Sequence, residues 1–367
     1  MRIAQVSPLF ESVPPRLYGG TERIVSFLTE ELVRKGHQIS LFASGDSLTT
    51  SELVPCAPRA LRLDSRVKDP LPHYTLMMEK VRQRAHEFDI IHFHIDHLQH
   101  PLMRMVDVPH VTTLHGRQDM TDLQPLYREF DRDPRVSISM SQRQPVPFLN
   151  FAGNVYHGLP KDLLTFSPSP TRGYLAFLGR MSPEKGPEEA IEIAVRAGIP
   201  LKMAAKIDPA DQAYFDQRIK PLLDQPLIEY VGEINDHHKA EFLGGAQAML
   251  FPINWPEPFG IVMIEAMACG TPVIAFPCGS VLEVIDDGVT GVLVNDIEQA
   301  VEAARTIHRF DRRRVRAHFE RRFTANRMAD DYLAIYERVI AERRRDKGEP
   351  TSARSGIASM KAKPLAS

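Results

Sequence analysis

The sequence predicts an α/β protein built of two doubly wound domains in series. Three observations carry that expectation. From Arg2 onward, short β-branched runs alternate with amphipathic helical runs, the βαβ rhythm of a parallel sheet. The rhythm breaks at Phe166–Gly173 (FSPSPTRG), and a second α/β series opens at Tyr174. The 367 residues also fit two domains at roughly 100–200 residues each.

In the first series, Arg2–Ser7 has the length and branching of a buried strand. A loop (ESVPPRLYGG) follows, and Thr21 stands where a helix N-cap belongs. Ile24, Val25, Leu28, Leu32 and Val33 give that helix one apolar face, and Gly36 stops it. His37–Ala43, Ile90–His94, His110–Leu114 and Val136–Ser141 are the next strands. In the second series, Tyr174–Leu178 is a strand. Pro187 then sits in a first helical turn, and Glu188–Gly198 is a helix with a glycine stop. Leu201–Ala205, Ile228–Val231, Ala248–Phe251, Pro272–Ala275 and Gly291–Val294 complete the strands.

Composition narrows the function. Hydrophobic residues at 43% and charged residues at 25% are globular values. A net charge of −2 gives no field to hold nucleic acid. Cys56, Cys269 and Cys278 are scattered, so neither a disulfide framework nor a cysteine metal site is expected. The most apolar stretch, Pro258–Gly279, contains Glu265 and Gly270, which a bilayer span would not. The N-terminal apolar run is too short for a signal peptide. The expectation is a cytoplasmic protein, with peripheral placement at a membrane left open.

The sharpest chemical motif is WPEPFGIVMIEAMACGTPVIA, Trp255–Ala275. Pro258 delays helix formation to about Phe259 or Gly260, so Glu257 lies in the loop before the helix. Glu265 lies inside an otherwise apolar helix, where an ionised carboxylate needs a partner. Its own segment offers none. A diol such as a ribose would satisfy it, and so would a salt bridge within the core. The second motif is GRMSPEKGPEEA, Gly179–Ala190. Arg180 follows a strand and Lys185 precedes a helix, at the sheet edge where open α/β folds bind ligands. Two cations at a helix N-terminus suit a diphosphate. Surface placement is the simpler alternative.

Gly19 and Gly20 precede a helix, where backbone approaches an anion closely or makes a tight turn. His115 ends a strand in VTTLHG. His92, His94, His97 and His100 crowd one run (HFHIDHLQH), which admits a minority metal reading although no H-E-x-x-H signature is present. Between Arg309 and Arg327 stand eight arginines, most simply a solvated helix face, with attraction to anionic lipid as the lesser reading.

Together GGTER, TTLHG, GRMSPEKG and EPFGIVMIEAMACGTPVIA, continuing through GSVLEVIDDGVTGVLV, resemble the family 4 glycosyltransferases, which are retaining enzymes of the GT-B fold. The resemblance spans Met1 to about Val294. It implies two Rossmann-like domains facing a central cleft. Residues 1–157 would hold the acceptor and 158–327 the nucleotide-sugar donor. A helix over 328–346 would pack back on the first domain; beyond it, the Lys-, Ser-, Ala- and Pro-rich composition of 347–367 by itself predicts a disordered tail. The resemblance further implies that Arg180 and Lys185 bind the donor diphosphate and that Glu265 takes the ribose hydroxyls. Glu257 would lie beside the sugar, with the amides of Phe259, Gly260 and Ile261 near sugar and phosphate. His115 would contact the sugar, and Gly19 and Gly20 the phosphate from across the cleft. The loop Val231–Asp236 would hold the base. Many relatives carry a glycine-rich turn where this chain has KMAAKIDP, so Lys206 either adds a cation or caps the strand edge.

The reaction expected is metal-independent transfer of a hexose-type sugar. No cofactor is needed beyond the nucleotide-diphosphate sugar, which is a substrate. The acceptor is a glycan, a lipid-linked group or a small molecule. A GT-B phosphorylase, an epimerase and a non-catalytic nucleotide-sugar-binding protein are the alternatives.

Overall fold

A computed structural model describes residues 1–16 and 19–347. The tail expectation from residue 348 onward lies outside the described residues.

The first sheet comprises β1 (Arg2–Val6), β2 (Gln38–Ser44), β3 (Glu52–Ala57), β4 (Ile90–Phe93), β5 (His110–Thr113), β6 (Arg135–Ser137) and β7 (Phe151–Asn154). All its pairings are parallel, and the order is β3-β2-β1-β4-β5-β6-β7. The second comprises β8 (Tyr174–Arg180), β9 (Leu201–Lys206), β10 (Ile228–Gly232), β11 (Ala246–Phe251), β12 (Val273–Ala275) and β13 (Gly291–Leu293). It too is parallel, in the order β10-β9-β8-β11-β12-β13. Each order reverses direction once, between β1 and β4 and between β8 and β11. A crevice opens at the carboxyl edge of a sheet at such a point.

The longer helices are α1 (Gly20–Arg34), α2 (Leu71–Arg84), α3 (Pro187–Ala197), α4 (Asp236–Gly245), α5 (Ile261–Ala268), α6 (Ile297–Thr306), α7 (Arg312–Arg322) and α8 (Ala325–Asp346). Helix α8 belongs to the first domain's core although it follows the second domain in sequence. Its Met328, Tyr332, Tyr336 and Val339 pack with Ile3, Ile24, Leu28 and Ile90. The chain therefore crosses between domains twice, and the crossings lie side by side. Leu159 N donates to Phe323 O at 2.9 Å, and Ala325 N donates to Leu159 O at 2.7 Å. Between them a Cβ on Gly158 would stand 2.2 Å from the Thr324 carbonyl oxygen. Gly158→Ala is therefore expected to cost about 1–3 kcal/mol, because backbone on the facing strand must yield. Urea unfolding of the variant measures it.

Four expectations are corrected. Thr21 does not cap α1: the helix starts two residues earlier than such a cap implies, at Gly20, with Gly19 in the cap position. A Cβ at Gly19 would meet Pro15 Cβ at 2.8 Å, so the turn requires glycine there. Strand β6 ends at Ser137 rather than Ser141. Its continuation leaves the sheet to meet the second domain, where Met140 N and Ser141 N both donate to Glu283 at 2.7 Å. The strands β3 and β7 and helix α2 add to the expected series. The arginine-rich segment is not simply a solvated face: Arg312 is buried, and Arg316, Arg322 and Arg327 all donate to backbone carbonyls.

Candidate active site

The carboxyl edges of the two sheets face each other across a cavity of about 370 Å³. From the second domain, Leu178 and Gly179 of β8, Ala204, Ala205 and Lys206 of β9 and Phe251 of β11 form its wall. From the first, Gly19, Gly20, His115 and His157 close it. The N-termini of α1 and α5 approach so closely that a Cβ on Gly20 would lie 3.6 Å from Ile261 Cδ1. Amides in a first helical turn lack intrahelical acceptors, and the helix dipole adds positive potential. Two such ends aimed into one cavity make a ready anion seat.

Gly260 caps α5 in the left-handed region (φ 74°), because the chain must turn sharply from Pro258 into the helix. Pro258, Phe259, Gly260 and Ile261 thereby line the cavity. Glu257 is held by its backbone: Ser280 N donates to its carbonyl at 3.0 Å. Its carboxylate pairs with the Lys185 ammonium. Lys185 ends a one-turn helix, Pro183–Lys185, and Gly186 follows in the left-handed region (φ 68°). A Cβ at Gly186 would come 2.1 Å from the Pro252 carbonyl oxygen. Lys185 also stands 4.9 Å from the centre of the Trp255 ring.

Glu265 is buried, and it has a partner its own segment does not supply: Lys239 on α4 meets its Oε1 at 2.7 Å. Lys239 also reaches Asp236 at 3.2 Å, and Asp236 pairs with Arg23 of α1 in the other domain. Glu265 Oε2 is buried without a hydrogen-bond partner among the described residues. One carboxylate oxygen is thus neutralised and the other left to accept.

His115 lines the cavity and bonds inward, its Nε2 lying 2.9 Å from His94 Nδ1. Burial pushes His115 down to about 3 and holds His94 and His157 well below the usual imidazole range. All three are neutral at neutral pH. The His157 ring stacks on His115 at 5.4 Å and meets Phe259 edge-on at 4.9 Å, joining the two domains.

The structure therefore gathers Gly19, Gly20, His115, Lys185, Glu257, Phe259, Gly260, Ile261 and Glu265 around one cavity. Arg180 is not among the lining residues; its guanidinium turns to Glu184 at 2.5 Å and Asp208 at 3.7 Å. Lys206 does line the cavity, beside Asp208 at 2.6 Å. Within the loop Val231–Asp236, Glu233 and Ile234 reach the cavity. Sequence reading missed Arg23, Lys239 and His157. His157 had one local signal, a glycine directly after it as His115 has, but the strand before it was not visible in the sequence. The histidine run does not converge: among the described residues no three His, Cys, Asp or Glu side chains form a ligand set. His92 and His94 lie in the sheet interior, whereas His100 pairs with Asp133 at 2.7 Å. Among the described residues no helix is long and apolar enough to cross a membrane.

Residues 166–322 match the glycosyl transferases group 1 family, and residues 18–144 match Glycosyltransferase Family 4. A glycogen synthase from Mycobacterium tuberculosis is 25% identical over 91% of this chain and 95% of its own. A phosphatidyl-myo-inositol mannosyltransferase from Mycobacterium leprae is 26% identical over 92% and 97%. The structure of HepE from Anabaena in complex with UDP-glucose superposes with a TM-score of 0.68 at 20% identity, covering 93% of this chain and 100% of that one. With both halves matched in order and the two parallel sheets facing one cleft, this chain belongs to the family 4 glycosyltransferases and has the GT-B fold.

Proposed function

We propose that the protein transfers a hexose-type sugar, with retention and without a metal ion, from a nucleoside-diphosphate sugar to a hydroxyl-bearing acceptor held by the first domain. One observation carries the donor class: Lys185, the buried bare oxygen of Glu265 and two facing helix N-termini share one cavity. A cation and open amides suit the diphosphate, and a lone carboxylate oxygen suits the ribose diol. The UDP-glucose bound by HepE supports the same class.

The step is a displacement at the anomeric carbon. The bond from that carbon to the diphosphate oxygen breaks while the bond to the acceptor oxygen forms on the same face. The acceptor proton passes to the departing phosphate oxygen. Negative charge grows on the leaving group, where the Lys185 ammonium and the α1 and α5 amides are already oriented to receive it. Glu257 lies beside the sugar and holds Lys185 in place. Closure of the two domains excludes water that would otherwise hydrolyse the donor. Acceptor identity resides in the loops of the first domain, which the fold leaves free to vary.

A calorimetric screen of nucleoside diphosphates and their sugars tests the donor class, and the anomeric configuration of the product tests retention. Glu265→Gln replaces one carboxylate oxygen with an amide donor. Hydrogen bonds to a charged acceptor contribute about 1.5–3 kcal/mol. The expected result is roughly 10- to 100-fold weaker nucleoside-diphosphate binding. Unchanged affinity would remove Glu265 from the ribose role.

A further inference from the structure

His115 is the cavity end of a buried polar chain that runs through the first domain into α8. Gln5 Nε2 donates to the Tyr336 hydroxyl at 3.1 Å, which turns Gln5 Oε1 toward His94 Nε2 at 2.8 Å. An amide oxygen only accepts, so His94 carries its hydrogen on Nε2. Its Nδ1 must then accept from His115 Nε2–H. Behind Gln5 the direction continues. The Tyr336 hydroxyl lies 2.6 Å from His92 Nδ1, and His92 Nε2 lies 2.7 Å from Thr113 Oγ1. Gln5, His92 and His94 are fully or almost fully buried, so water does not compete for these bonds.

We infer that His94, oriented by Gln5 and Tyr336, is a positioning residue that holds His115 as the tautomer with a bare Nδ1, so that the site accepts a hydrogen bond from a sugar hydroxyl. A neutral imidazole offers one donor and one acceptor, and the bond at one nitrogen decides the role of the other. Tyr336 comes from the helix that returns after the second domain. The sugar-facing atom of the cleft is thus set from a helix outside both sheets. The sugar part of this inference rests on the nucleotide-sugar reading above; the tautomer does not.

The tautomer is read directly in the full-length protein with ¹⁵N-labelled histidine, from long-range ¹H–¹⁵N correlations, with His115→Gln identifying the signal. The expected wild-type result is a protonated Nε2 and a bare Nδ1 on His115. His94→Leu removes the acceptor, and the His115 nitrogens should move to values averaged over both tautomers. His94→Asn can offer its side-chain oxygen and should restore the wild-type pattern. Tyr336→Phe keeps the packing, frees the Gln5 amide to turn, and should shift the signals part of the way. By calorimetry, His94→Leu should weaken UDP-glucose about tenfold, the size of one hydrogen bond, and leave UDP within twofold. A wild-type His115 protonated on Nδ1 overturns the inference, as does a tautomer indifferent to both His94→Leu and Tyr336→Phe. The predicted tautomer in a protein that binds neither UDP nor any other nucleotide probe would uphold the relay and overturn the donor reading instead.

Discussion

Lys185→Ala is expected to lower turnover about 10²- to 10³-fold at saturating donor, the usual loss when one preorganised stabiliser of developing charge is removed. Lys185 Nζ pairs with Glu257, which stands just before α5 in the cavity wall, so its charge would face a departing diphosphate seated there. The fold should survive. The Lys185 side chain lies against the open cavity, and water can enter to solvate Glu257 when the ammonium is gone. Lys185→Arg separates charge from position. The guanidinium keeps the charge but is planar and bulkier than the site built beside Trp255, so only partial recovery is expected. Initial rates and a thermal melt measure the two effects separately. The chain has a single tryptophan, and it stands 4.9 Å from this ammonium. Its fluorescence therefore reports whether a nucleotide still reaches the cavity in the variant. Full turnover in Lys185→Ala would take this residue out of the phosphate role.

What the sequence disclosed follows from which signals are local. Inner strands such as β1, β2, β4, β8 and β11 are largely apolar because they are covered on both faces, and such runs are visible in one dimension. The strands that were not visible, β3 and β7, are the two edges of the first sheet. An edge strand tolerates Pro55 and Gly153, which break the run that would otherwise announce it. Helix α2 hid for a related reason. It buries only Tyr74, Met77 and Val81, while Leu71 and Leu76 are exposed and blur its apolar stripe. At the site, strand–turn–helix junctions placed Lys185, Glu257 and His115 because position relative to a sheet edge is a local property. Arg180 occupies such a junction too, yet its side chain is claimed by Glu184 and Asp208. Which way a long cation turns depends on neighbours that the sequence does not bring adjacent. The same limit concealed Lys239 and Arg23, whose pairing with Glu265 and Asp236 joins three helices.

Arg312→Ala is expected to cost about 3–5 kcal/mol of stability, the range for leaving several buried acceptors without their charged donor. The guanidinium is buried at the start of α7, and burial pushes it down to about 10, still charged at neutral pH. It donates to Ser167 O at 2.8 Å, Ala246 O at 2.8 Å, Gly244 O at 3.0 Å and Thr271 Oγ1 at 2.6 Å, and approaches Cys269 O at 3.5 Å. Of these acceptors, the carbonyls of Gly244, Ala246 and Cys269 lie at the C-terminal ends of α4 and α5, where a cation also meets the negative end of each dipole. Arg316 adds a bond to Ala268 O at the same end. The two helices so clamped carry Lys239 and Glu265 toward their cavity ends. The arginine run therefore braces from behind Glu265, proposed to hold the ribose, against its partner Lys239. Arg313→Ala is the control, because Arg313 is the exposed neighbour on the same turn and should stay within about 0.5 kcal/mol of the parent. Lysine at 312 cannot reach acceptors on three segments at once and should rescue little. Denaturant unfolding gives the stability difference, and nucleoside-diphosphate calorimetry on the folded variant gives the coupling to the site. Equal stability of the 312 and 313 variants would show that these bonds exchange for water without loss, and the clamp would then have no energetic content.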